Sequence, residues 1–160
     1  AIQAALTGHL VLSTLHTNDA PSSITRLINI GIEPFLVAGA VNAVLAQRLM
    51  RCVCAHCGED HAVSEETAAI LAGYGLTQST LREGTGCDKC RQTGMSGRLG
   101  IYEMLQIDDT LRDRIAGNPS VNELRKHCCE SGMKTLRQDA IEKMVEGRTT
   151  LSEVLRVTTE

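Results

Sequence analysis

Aromatic side chains are almost missing from this chain. Phe35, Tyr74 and Tyr102 are the full set, and there is no tryptophan. Any core must therefore be aliphatic. A surplus of basic charge is missing too: 16 Lys and Arg against 19 Asp and Glu leave a net charge of −3. That balance gives neither nucleic acid nor an anionic membrane surface an electrostatic reason to bind. Long apolar runs are lacking as well. The best candidate, from Phe35 to Leu49, is broken by Gly39, Asn42 and Gln47, so no transmembrane segment is expected. The start, Ala1-Ile2-Gln3, has no basic region of the kind that opens a signal peptide.

Cysteine, by contrast, is plentiful. Seven is an odd number, so the set cannot all pair internally. Two C-x-x-C pairs without an export signal point to a reduced, cytosolic compartment and to metal binding. Cys54, Cys57, Cys87 and Cys90 form those pairs, and each places two thiolates on a tight turn that can share one tetrahedral ion. The intervening segment, 58–86, is 29 residues long, which suits a ribbon whose two knuckles face each other. Gly58 follows the first pair and Gly86 precedes the second, where glycine lets backbone amides turn toward sulfur. The spacing predicts a structural Zn²⁺, since four cysteine ligands leave no open position for catalysis. Iron is the rival metal, but rubredoxin-type sites sit in aromatic-rich surroundings. A nucleic-acid ribbon is disfavoured, because residues 52–91 carry six acids against three bases. Cys52, His56 and His61 are spare donors read as solvent-facing or packed. Cys128 and Cys129 are read as ordinary reduced thiols.

Along the chain, Ala1–Leu6 reads as the last turns of a helix stopped by Gly8. It has no methionine and no cap, which suggests a fragment of a longer protein. His9–Leu15 reads as a short buried strand. Thr17-Asn18-Asp19-Ala20-Pro21 is a helix start with proline in the first turn. That helix presents Ile24, Leu27 and Ile28 on one face and ends at Gly31. Glu33-Pro34 opens another helix, expected to reach about Leu45, and 48–53 reads as a strand. Ser64 should cap a helix ended by Gly73 and Gly75, and 98–105 reads as a returning strand. From Asp108 onward the pattern is helical, with capping boxes at Ser120/Glu123 and Thr150/Glu153. Leu136, Ala140, Ile141, Met144 and Val145 make a stripe there. Strand followed by helices suggests the trailing part of an α/β layer.

His9 and His16 stand an odd number of residues apart, so a regular strand would point them to opposite faces. Thr14 and His16 share a face at the carboxyl end, where open α/β sheets place ligands. His16 is the better candidate of the two.

Taken together, GHLVLSTLHTNDA (8–20), PFLVAGAVNAVLAQRLMR (34–51), the two C-x-x-C pairs, GRLGIYEML (97–105) and MKTLRQDAIEKMVEGRTTLSEVLRVT (133–158) resemble the ATPases that power type II secretion and type IV pilus assembly. The tetracysteine insert points to the secretion and pilus-extension branch. The resemblance implies an α/β chain that is the C-terminal part of a RecA-like P-loop ATPase core. Its divisions would be the trailing core with a histidine box (1–53), the zinc insert (54–90), a return strand (91–106) and an all-α subdomain (107–160). By the same resemblance His16 would meet the γ-phosphate region, with Thr14 and His9 supporting it. Arg26 and Arg48 would lie near the nucleotide or a subunit interface. ATP and Mg²⁺ would be cofactors of the whole protein, which would act as a homo-hexamer docked on inner-membrane platform proteins, cytoplasmic and peripheral to that membrane. No G-x-x-x-x-G-K-[ST] occurs here. The nearest approach, Gly132-Met133-Lys134-Thr135, has Met133 between glycine and lysine and His127 at the first glycine position, so it cannot cradle phosphate. With the Walker A loop and the Walker B strand both missing, the 160 residues alone are expected to be inactive. The alternative is a non-enzymatic zinc-scaffolded interaction module.

Overall fold

Gly8 releases the first short helix, α1 (Ile2–Leu6), at a φ of +93° that L side chains rarely adopt. The computed structural model describes residues 1–158. Asp19 then caps α2 (Ala20–Asn29) by accepting the Ser22 amide at 2.8 Å, with Pro21 in the first turn, as the sequence signal requires. Pro34 opens α3 (Pro34–Ala40). The strand β1 (Ala43–Val53) follows, and β4 (Met95–Gln106) pairs with it. Between them lie β2 (Gly58–Ala62), α4 (Glu65–Ala72) and β3 (Thr80–Gly84). The chain closes with α5 (Asp109–Ala116), α6 (Val121–Glu130), α7 (Leu136–Val145) and α8 (Leu151–Thr158).

Two compact units result. The first comprises residues 1–46 and 103–135. Its core is aliphatic: Ile24 of α2, Val37 of α3, Leu111 and Ile115 of α5, and Leu124 and Cys128 of α6 are buried together. Burial also pushes the Cys128 thiol up to about 11, in keeping with a packed, inert side chain. The Ser120/Glu123 capping box forms in full, with the Glu123 carboxylate accepting the Ser120 amide at 2.8 Å.

The second unit comprises residues 47–102 and those from 136 onward. Met50, Leu71, Leu99, Ile101, Ile141, Met144 and Val154 are buried in it. The hairpin of β2 and β3 is antiparallel, with Gly58 opposite Gly84 and Asp60 opposite Arg82. Its register brings the residues after the first cysteine pair beside those before the second.

Three expectations are corrected. Residues 9–17 form neither helix nor strand, and Leu10 and Leu12 are 89% and 87% exposed. A strand needs a neighbour for its backbone groups, and no described strand pairs with this segment. The helix from Pro34 stops at Ala40, well before Leu45. Val41 turns extended, and from Ala43 the burial alternates with period two as β1 pairs with β4. The Thr150/Glu153 box is only half made. Thr150 Oγ1 accepts the Glu153 amide at 3.4 Å, whereas the Glu153 carboxylate is bonded to Arg51 and Arg156. Of the helices after 107, α5 and α6 lie in the first unit and α7 and α8 in the second. No described helix is long and apolar enough to cross a membrane.

Candidate metal centre

The first knuckle, Cys54 to Cys57, hangs from the end of β1, and the second, Cys87 to Cys90, ends in a single 3₁₀ turn over Asp88–Cys90. All four sulfurs lie within 4.8 Å of one another. The separations are 3.9 Å for Cys54–Cys87, 3.8 Å for Cys57–Cys90 and 3.7 Å for Cys87–Cys90. Four thiolates at about 2.3 Å from a tetrahedral ion stand about 3.8 Å apart, so the quartet fits one such ion. A disulfide, at about 2.05 Å, is far shorter, and every cysteine is a free thiol. Cys54, Cys57 and Cys90 are buried.

Backbone amides converge on the sulfurs. The Cys87 and Gly94 amides each donate to Cys90 Sγ at 3.2 Å. Burial works to raise the Cys90 pKa, yet these amides bring it down to about 6. Burial pushes Cys57 the other way, to about 12, against a hydrogen bond from the Gly86 backbone. A metal-free quartet thus shares protons unevenly, because four adjacent thiolates repel, and a divalent cation relieves that repulsion. Gly86, chosen from the sequence, plays its expected part. Gly94 was not legible, since it stands four residues beyond Cys90 and outside either C-x-x-C.

The histidine-box residues and arginines are placed differently. His16 and Arg26 line one open, polar hollow of about 260 Å³ with Asn18, Ser22 and Thr25. Thr14 is exposed and not among its lining residues. His9 Nδ1 lies 3.2 Å from both Thr7 Oγ1 and the Ala4 carbonyl. Arg48 belongs to the second unit, where its Nη1 donates to the Val157 carbonyl at 2.5 Å. Without a strand at 9–15, the alternation that assigns faces to His9 and His16 has no backbone to act on.

The burial of two carboxylates was not read from the sequence: Glu103 was not singled out, and Glu153 was read only as a capping residue. Glu103 accepts the Ala20 amide at 2.9 Å in the first unit. Glu153, in the second, takes Arg51 through its Nε and Nη2 and Arg156 through its Nε and Nη2. The Arg156 guanidinium, then Arg51, hold its carboxyl at about 2 against the cost of burial.

The model of the type II/IV secretion system protein family matches residues 1–156. A type II secretion system protein E from Pseudomonas aeruginosa is 48% identical over 160 residues, which are 100% of this chain and 32% of that protein. The type IV pilus assembly ATPase PilB of Thermus thermophilus is 45% identical, over 100% of this chain and 18% of its own length. The chain thus spans about a third or less of these relatives. The crystal structure of the pilus retraction motor PilT with bound ADP shares the fold, at a TM-score of 0.64 and 21% identity over 99% of this chain and 35% of that one. With its whole length matched in this way, the chain belongs to the type II/IV secretion system protein family.

Proposed function

We propose that this chain is the C-terminal part of a RecA-like motor ATPase that powers type II protein secretion or type IV pilus assembly. The observation that carries the reading is the near-half identity to a type II secretion protein E along all 160 residues. The phosphate loop that holds ATP and Mg²⁺ would come from sequence outside this span, because no G-x-x-x-x-G-K-[ST] occurs in these 160 residues. Within the span, His16 and Arg26 are the best-placed contacts, since they share one hollow with hydroxyl and amide donors. Thr14 and His9 would support them once residues 9–15 gain strand partners, and Arg48 would serve at an interface. The working assembly would be a homo-hexamer on the cytoplasmic side of the inner membrane, held there by platform proteins.

The cysteine quartet holds Zn²⁺ in this reading, through Cys54, Cys57, Cys87 and Cys90. The ion supplies a closed, structural cross-link and no catalytic position.

ATP hydrolysis tests the first half. The whole protein should turn over ATP, the 160 residues alone should not, and His16→Ala in the whole protein should lower the rate at least about tenfold, one interaction's worth of transition-state stabilisation. Hydrolysis by the isolated 160 residues would overturn the assignment. Metal analysis under reducing conditions tests the second half. One equivalent of zinc is expected; iron, or less than about half an equivalent of zinc, overturns it.

A further inference from the structure

Two glycines cross beside the cysteine quartet. Gly84 ends β3 and Gly94 lies just before β4. A Cβ built on Gly84 would overlap the Gly94 carbonyl, reaching its carbon at 2.6 Å. One built on Gly94 would overlap the Gly84 carbonyl in turn, at 2.9 Å from its carbon. Neither position has room for a side chain. Gly94 also has a φ of +71°, whereas Gly84 has no left-handed backbone and requires glycine only for the close approach.

Each partner in the crossing is tied to a different part of the quartet. Gly84 pairs with Gly58, the residue after Cys57, and its neighbour Thr85 donates its amide to the Cys57 carbonyl at 3.0 Å. Gly94 donates its amide to Cys90 Sγ at 3.2 Å and accepts the Cys54 amide at 2.9 Å. One main-chain contact therefore links the backbone that carries Cys57 to the residue that holds Cys90 and Cys54.

We propose that the Gly84–Gly94 crossing is the positioning element that sets the separation of the two knuckles for the metal. Neither glycine touches the ion. A methyl group at Gly84 would push Gly94 outward, lengthen its amide–sulfur bond and draw Cys90 away from Cys57. The inference rests on the zinc reading of the quartet.

The test is Gly84→Ala in the full chain, with zinc affinity measured by competition against a chromophoric chelator and the Co²⁺ form read by its thiolate charge-transfer spectrum. Gly97→Ala is the control, since Gly97 has a φ of +81° and open space around it. Gly84→Ala should weaken zinc about 10- to 100-fold, the range for residues that orient ligands, and alter the Co²⁺ spectrum. Gly97→Ala should leave both unchanged. Wild-type affinity in Gly84→Ala, or an equal loss in both variants, overturns the proposal. A wild-type chain that takes up no metal overturns the zinc reading itself, and this inference with it. Should Gly84→Ala fail to fold, amide exchange in the wild-type chain decides. The Gly94 amide should be protected when zinc is bound and freed by chelation; an unprotected Gly94 amide in the loaded chain overturns the proposal.

Discussion

In the first unit, Ile24, Val37, Leu111, Ile115 and Leu124 exclude water from a core supplied by α2, α3, α5 and α6. The second unit also buries aliphatic residues, but its hairpin does not share them: no side chain of β2 or β3 is fully buried. The cysteine quartet joins the ends of that hairpin to the end of β1, and polar ties fasten β1 in turn to α8 and the turn before it. The Val53 amide donates to the Arg148 carbonyl at 3.0 Å, Thr149 Oγ1 to the Arg51 carbonyl at 2.8 Å, and Glu153 grips Arg51. The two units therefore depend on different physics. One rests on hydrocarbon burial, which no chelator alters; the other rests partly on charge and, with Zn²⁺ in the cysteine quartet as proposed, partly on a metal.

Removing the metal should separate them most sharply. Four thiolates around zinc contribute on the order of 10 kcal/mol to small metal-dependent folds. Chelation under reducing conditions, or Cys90→Ser, should free the amides of β2 and β3, and loosen α7 and α8 with them, in a hydrogen-exchange experiment. Protection in α2, α5 and α6 should persist. Equal loss in both units would break the comparison. So would an untouched α7–α8 pair, because the turn between those helices is bonded to the strand that carries Cys54.

A core truncation should do the reverse. Ile115 is fully buried in the first unit, and Ile115→Ala should cost about 2–5 kcal/mol. Denaturant unfolding followed by a probe in α5 or α6 should show that loss with zinc or without it. A loss that zinc cancels would mean the units are not independent.

Glu153 comes next. Its side chain is fully buried, while Arg51 and Arg156 are about half exposed, so the arginines can regain water when the acid is neutralised. Glu153→Gln should therefore destabilise the second unit by about 1–3 kcal/mol, less than a fully buried pair would lose. The check is the melting of the zinc-loaded chain at neutral pH. No change would show that Arg51 and Arg156 hold α8 without it.

How much of this was legible follows the same division. Caps at Asp19, Ser64 and Ser120 could be read, because each satisfies its own helix within three residues. The gathering of Cys54, Cys57, Cys87 and Cys90 was legible for a like reason: each C-x-x-C turn brings its two sulfurs together locally. The failures are all non-local. Leu45 fits a helix by its neighbours and a strand by its partner in β4, and pairing decided it. Glu153 looked like a capping residue until Arg51, 102 positions away, claimed its carboxylate. The run from His9 to Leu15 has the composition of a strand, and no neighbour pairs with it among the described residues. No local pattern reports such partners.

The smallest effect expected lies in the first unit and tests whether charge matters there at all. Asp19 caps α2 and also pairs with Arg125 of α6. Burial works to raise its carboxyl, and hydrogen bonds from Ser22 and Arg125 overcome that and hold it below its ordinary value of 3.8. The sign follows from linkage. A depressed folded pKa means the contribution is fully present above the unfolded value and is lost as pH falls through the folded one. The first unit should thus show no Asp19-linked change near neutrality and weaken only in acid below about pH 4. Asp19→Asn separates the two roles, since asparagine caps a helix as well as aspartate does. Stability at pH 7 should fall by about 1 kcal/mol, the charge pair alone, with Arg125 one-third exposed and partly screened. The acid dependence of the first unit should flatten in parallel. A larger loss at pH 7 with the acid dependence intact would place the pairing energy elsewhere, and the hydrocarbon core would no longer account for that unit by itself.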